Sequence, residues 1–201
     1  MPFEIIATIT GFLNIYLAAR ANIWNWFFGI ITVSLYAIIF FEVKLYADMG
    51  LQLVFFCLQF YGIYQWLYGG AQHHARTVQR ANKIILLIAF VATLILFGSI
   101  AFILQRYTDS TTVYIDAFTT ALSLVAQWMM SKKWLEHWWL WMVVDVISIS
   151  MYLNKSLYFT SGLYAAYFFL CVVGYVTWKK LLSPQPQKQS RLVTPIATRA
   201  A

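Results

Sequence analysis

The chain has 201 residues, of which 62% belong to the hydrophobic set AVILMFWYC and only 10% are charged. A soluble domain is about 45–50% apolar and about 25% charged, so this composition excludes a soluble enzyme, a nucleic-acid-binding module and a disordered adaptor. The net charge of +7 would point to nucleic acid in a soluble protein, but here the basic residues stand between apolar runs and in the tail, where they set membrane topology.

A helix needs about 20 residues to cross the hydrocarbon, within a range of about 17–25. Seven segments meet or approach that length: 3–20, 23–41, 45–68, 84–104, 113–131, 138–153 and 157–178. The first lacks a basic n-region and a small-residue cleavage site, so it reads as a retained helix and not a signal peptide. The sixth is short, with Trp138, Trp139 and Trp141 placed for the interface. Most turns are short, such as Asn154-Lys155-Ser156, which predicts antiparallel neighbours. The exception is 69–83 (GGAQHHARTVQRANK), a polar linker dividing the chain. The Pro/Gln-rich stretch after Lys180 is expected to be disordered. Cys57 and Cys171 lie in apolar runs and read as small core residues without a disulfide.

Lys and Arg are unevenly shared between the two sides. Arg20, Arg76, Arg80, Lys83, Lys132, Lys133 and the tail's Lys179, Lys180, Lys188, Arg191 and Arg199 fall on one side. Lys44, Arg106 and Lys155 fall on the other. The positive-inside rule puts the C-terminus and the linker in the cytoplasm and the N-terminus outside.

Sliding the sequence by 112 residues lays 45–66 on 157–178 without a gap. Leu45/Leu157, Tyr46/Tyr158, Gly50/Gly162, Leu51/Leu163, Phe56/Phe168, Leu58/Leu170, Gly62/Gly174 and Trp66/Trp178 are identical pairs. The same offset pairs Trp26 with Trp138, Glu4 with Asp116, Thr8 with Thr120, and Arg20 with Lys132. Each repeat holds three helices, and one extra crossing between them restores the orientation. The expected fold is an all-α integral membrane protein, seven transmembrane helices in a 3+1+3 arrangement of two parallel three-helix repeats. Its parts are a first repeat (1–68), a linker plus fourth helix (69–112), a second repeat (113–178) and a tail (179–201). Repeats of this kind mark transporters, whose sites lie near the midplane at the repeat interface.

Polar groups inside hydrocarbon need a reason. At about 100° per residue, Asp48, Gln52, Gln59 and Trp66 share one face of the third helix. Asp116, Thr120, Ser123 and Gln127 share one on the fifth, and Trp138, Trp141, Asp145, Ser148 and Tyr152 one on the sixth. The seventh-helix positions equivalent to the third-helix stripe are Thr160, Tyr164, Cys171 and Trp178. Glu4, Asp48 and Asp116 stand near helix ends and read as interfacial, whereas the glutamines suit interhelical hydrogen bonds or a ligand equally. Asp145 is mid-helix with no Lys or Arg at comparable depth, which favours a ligand role. The stripes together describe a cavity of aromatic faces, amides and one carboxylate, fitted to a flat cation and poorly to a phosphate. No P-loop and no metal-ligand spacing occurs, so neither cofactor, metal nor direct ATP drive is expected. An intramembrane enzyme acting on lipid is the rival class, but the only histidines are His73, His74 and His137, which leaves little for it to work with.

The runs NIWNWFFGI (22–30), LYADMGLQLVFFCLQFYGIYQW (45–66) and EHWWLWMVVDVISISMYLNKSLYFTSGLY (136–164) resemble the PnuC family of nicotinamide riboside transporters. The resemblance implies a seven-helix fold like that of the full-length SWEET sugar transporters and a homotrimer. It also implies facilitated diffusion in the bacterial cytoplasmic membrane, with the vitamin trapped by a cytoplasmic kinase and feeding NAD synthesis. By position, Gln52 and Gln59 match the family's third-helix motif, Trp141 and Asp145 its sixth-helix pattern, and Tyr164 its seventh-helix stripe. The expected substrate-binding set is Trp26, Gln52, Phe56, Gln59, Gln127, Trp141, Asp145 and Tyr164. Related carriers assigned to thiamine, also a flat cation, leave that vitamin as the alternative substrate.

Overall fold

Every long apolar run folds into a helix, because in hydrocarbon a helix satisfies each backbone N–H and C=O within its own segment. The computed structural model describes residues 2–42, 44, 46–108 and 112–182. The expectations for Leu45 and for the tail from 183 onward lie outside the described residues. In chain order the helices are α1 (Pro2–Ala19), α2 (Trp24–Glu42), α3 (Tyr46–Tyr68), α4 (Lys83–Tyr107), α5 (Val113–Ser131), α6 (His137–Asn154) and α7 (Tyr158–Leu182). A short 3-10 turn, Ala71–His73, lies in the linker. The seventh helix thus extends beyond 178, and its last residues pack inward: Leu182 lies against the main core cluster.

By length and composition, α2, α4 and α7 are apolar enough to cross a membrane. Helices α3, α5 and α6 miss that standard through Gln52, Gln59, Gln127, Asp145 and their polar neighbours. Their outer faces remain apolar, with Phe60, Tyr64, Ile115, Val143 and Val146 all exposed. Helix α4 is the extreme case, exposing Ile84, Leu87, Phe90, Ile95 and Phe102. A soluble monomer does not carry such a surface. Lipid is the solvent that suits it.

Six helices close a ring: α1 packs on α2, α2 on α3, α3 on α5, α5 on α6, α6 on α7, and α7 returns to α1. Helix α4 stands outside, against α5. Turns at equivalent places repeat one geometry. Ala21 and Lys133 take left-handed φ values of 52° and 51°. Around them Asn22 N–H donates to Leu17 O and Trp134 N–H to Met129 O, while Ala21 N–H donates to Ala18 O and Lys133 N–H to Met130 O. These are Schellman motifs, which satisfy the last helical carbonyls and reverse the chain. Lys44 and Ser156, at φ 62° and 57°, form the matching pair at the opposite end of the bundle.

The core is densest at the end bearing Arg20, Lys132 and Lys133. Four tryptophans, Trp26, Trp66, Trp138 and Trp178, are buried there at 0–2% exposure. Trp26 meets Trp66 edge-on at 5.4 Å, and Trp138 meets Trp178 edge-on at 5.7 Å. A Cβ on Gly62 would enter the Trp26 ring, and a Cβ on Gly174 the Trp138 ring. Trp66 Nε1 donates to Met130 O at 3.1 Å, and Trp178 Nε1 to Ala18 O at 2.9 Å. Each of these pairs maps onto its twin by the 112-residue offset, with donors and acceptors exchanged between α1–α3 and α5–α7.

Two expectations are corrected. Cys57 is exposed on the outer face of α3, and only Cys171 is buried; both are free thiols. Residues 69–83 do more than divide the chain. Val78 packs on the tryptophan cluster, and Ala81 on a smaller cluster of Ala89, Val125 and Met129. Gln79 pairs with the α5–α6 turn through Gln79 N–H to Lys133 O and Leu135 N–H to Gln79 O, each 2.9 Å. The segment is a strap across the ends of α3 and α5.

Candidate functional site

Inside the ring lies a cavity of about 490 Å³, lined by residues of all six ring helices. From the expected set it gathers Gln52 and Gln59 of α3, Gln127 of α5, Trp141 and Asp145 of α6, and Tyr164 of α7. On α3 the inward face runs Gln52, Phe55, Gln59, a spacing of three and four residues that keeps side chains on one helical stripe.

Two residues of the expected set lie elsewhere. Phe56 is one step round α3 from that stripe, half-buried with its ring against Phe60 at 5.1 Å; Phe55 lines the cavity in its place. Trp26 is wholly buried and packs between Gly62 and Trp66, outside the lining. Its match with Trp138 at the repeat offset reflects shared packing, although Trp138 also reaches the cavity wall. Asp48, Trp66 and Asp116, which share stripes with lining residues, do not line it either.

The polar groups have few partners. Asp145 is 4% exposed, and its Oδ2 accepts from Cys171 Sγ at 3.4 Å. No Lys, Arg or His is among the lining residues, so this carboxylate faces the cavity without a protein cation. Gln59 is 5% exposed, and its Oε1 is buried without a hydrogen-bond partner. A buried amide oxygen without a partner is uncommon in a folded protein and marks this amide for attention. Tyr152 and Tyr164 stack at 5.3 Å with planes 26° apart, and Tyr167 meets Tyr164 at 5.8 Å.

Sequence reasoning missed the contribution of α1 and α2. Asn14, Thr32, Tyr36 and Phe40 all line the cavity. Asn14 Nδ2 donates to Asn25 O at 2.6 Å, and Thr32 Oγ1 donates to Thr10 Oγ1 at 2.9 Å. Asn14 had a readable signal, being a lone amide inside the first apolar run; Tyr36 and Phe40 had none, since aromatic residues line every helix of this chain. The arrangement can hold a flat cation on aromatic faces beside a carboxylate, with amides and phenols for polar substituents.

A protein-family model described as "Nicotinamide mononucleotide transporter" matches residues 1–180. The chain is 29% identical over 200 residues to the nicotinamide riboside transporter PnuC of Escherichia coli (strain K12), covering 87% of this chain and 84% of that protein. It is 30% identical over 190 residues to the nicotinamide riboside transporter PnuC of Neisseria mucosa, covering 88% and 72%. A solved structure described as "Crystal structure of the Vitamin B3 transporter PnuC" superposes with a TM-score of 0.70 at 28% identity, covering 88% of this chain and 80% of that one.

Proposed function

Because the chain belongs to the nicotinamide mononucleotide transporter family, we propose that it imports nicotinamide riboside across the bacterial cytoplasmic membrane by facilitated diffusion. It is a transporter and not an enzyme, as its family is. The substrate rests on one observation above all. The cavity holds the Asp145 carboxylate and no basic side chain among its lining residues. The mononucleotide would bring a phosphate against that carboxylate in a low-dielectric site, where like charges repel strongly. The riboside lacks the phosphate and carries a cationic ring, which Asp145 neutralises and Trp141 stacks. The Gln59 amide bonds the carboxamide, while Gln52, Gln127 and Tyr164 serve the remaining polar groups.

Transport proceeds by alternating access, with two parallel halves, α1–α3 and α5–α7, joined by α4 in a 3+1+3 plan. The crosswise Trp66–Met130 and Trp178–Ala18 bonds support this plan, since halves related by a two-fold axis exchange their contacts in that way. The basic end with the strap faces the cytoplasm and the N-terminus lies outside, on the distribution of Lys and Arg. A cytoplasmic kinase then traps the vitamin by phosphorylation for NAD synthesis, and the carrier works as a homotrimer.

The test is uptake of labelled nicotinamide riboside into proteoliposomes without ATP or an ion gradient, beside calorimetric titration of the riboside, the mononucleotide and thiamine. Riboside uptake to equilibrium, with no heat from the mononucleotide, is expected. Preference for thiamine would replace the substrate, and binding of the mononucleotide would remove the electrostatic argument. Gln59→Ala and Trp141→Ala should each weaken riboside binding about tenfold, from loss of roughly 1–2 kcal/mol. Unchanged affinity in both would remove the site.

A further inference from the structure

Gly29 of α2 does not line the cavity, yet it touches two residues that do. A Cβ on Gly29 would stand 2.6 Å from Gln59 Oε1, 2.8 Å from Gln59 Cδ and 2.7 Å from Asn14 Nδ2. All are closer than real Cβ atoms come, so a side chain there would displace both amides. The other glycines behave differently. On Gly62 and Gly174 the added carbon meets the body of a buried indole ring, which cannot swing aside. On Gly11 it makes ordinary contacts at 3.5 Å, and on Gly50 and Gly162 it meets nothing within 4 Å. At Gly29 the obstacle is the end of two flexible side chains, so the fold can survive and the amides are what move.

The repeat sharpens the point. The 112-residue offset carries Gly29 onto Trp141, and Gln59 onto Cys171. In one half a small residue on α2 gives room to a long amide from α3. In the other the matched positions are a large ring on α6 and a small thiol on α7, and Trp141 packs on the cluster containing Cys171. The two walls therefore differ by an exchange of volumes at matched positions. Close packing makes such exchanges compulsory.

We propose that Gly29 is a positioning residue for the substrate site: its lack of a side chain lets the Gln59 amide seat against α2, which fixes where that amide stands on the cavity wall. This rests on the riboside site described above. Riboside affinity and unfolding temperature are to be measured in detergent for Gly29→Ala, Gln59→Ala, the double variant and Gly50→Ala. Gly29→Ala should lose about tenfold in affinity, the worth of a hydrogen bond to a ligand, while Gly50→Ala binds as the unaltered chain does. In the Gln59→Ala background, Gly29→Ala should cost clearly less, because one of the two amides it displaces is gone and only Asn14 is left to move. A packing defect would carry the same loss into both backgrounds and overturn the proposal. Loss on Gln59→Ala with none on Gly29→Ala overturns the positioning role alone. No loss on either removes the site with it. If Gly29→Ala does not fold, the double variant decides: folding restored by Gln59→Ala supports the clash, and continued failure overturns it.

Discussion

Asp145 carries the one formal charge on the cavity wall among the described residues, and its partner within the protein is the Cys171 thiol. A weak donor at 3.4 Å does not balance a carboxylate, which leaves the charge to the cationic substrate proposed above. Asp145→Asn keeps the shape and removes the charge. It is expected to weaken binding of the cationic riboside at least about tenfold, a modest share of a charge–charge term at an effective dielectric near 20. Its uncharged reduced form should bind nearly as before. Calorimetry with the two ligands decides, and equal losses would make Asp145 a structural residue. Asp145, Gln59 and Gln127 were legible in the sequence because a polar group in hydrocarbon is conspicuous, and its helical phase shows which side it serves. Trp26 and Phe56 were not. An aromatic ring suits lipid, core and cavity alike, and one step of 100° along α3 separates Phe55 in the lining from Phe56 outside it.

At the scale of elements, the strap is the feature that composition misread. A polar run with two glycines and two histidines reads as a divider of the chain, but several of its side chains and backbone groups also bond to helix ends. The Arg76 guanidinium donates to Gln65 Oε1 at 3.3 Å and to Gly69 O at the end of α3. Glu136 Oε2 accepts Ala81 N–H at 2.8 Å, fixing the strap to the start of α6. Lys133 Nζ donates to Arg76 O at 2.8 Å and stands 4.2 Å above the Trp66 ring. No local spacing encodes the Glu136 and Lys133 partners, which lie about 55 residues away in sequence. Burial, with the Arg76 charge adding to it, pulls the Lys133 ammonium down to about 8 from the usual 10.5. Between those values the unfolded chain still holds a proton that the folded chain has released, so stability rises with pH across that window. The unfolding temperature in detergent should therefore climb more steeply from pH 8 to 10 in the unaltered protein than in Lys133→Met. An identical slope in both would show that Lys133 is not strained by its burial.

For the molecule as a whole, the seven helices and their short turns were readable because bilayer thickness fixes helix length, and the repeat was readable because it needs one register. The crosswise bonding was not, since it follows from how the halves face each other. The alternating access proposed above must part those contacts at the basic end to release substrate there. Two seams join the halves at that end, α3 with α5 and α1 with α7. The first is held by the Trp66 bond and by the strap, which is tied to α3 through Arg76 and to the α5–α6 turn through Gln79. Among the described residues the second is held there by the Trp178 bond and the packing of α7 on Ala18 and Ala19. Breaking the indole bond at the second seam should therefore open the basic end more readily than breaking it at the first. Cys171, on the cavity wall, reports this once Cys57 is replaced by Ala. In inside-out vesicles, Trp178→Phe should raise its labelling rate by a cationic thiol reagent about fivefold, the population shift for a hydrogen bond of roughly 1 kcal/mol. Trp66→Phe should raise it less, because the strap persists, and bound riboside should protect the thiol in both. A larger effect from Trp66→Phe would place the opening at the strapped seam, and no effect from either would leave the tryptophan locks without a part in gating.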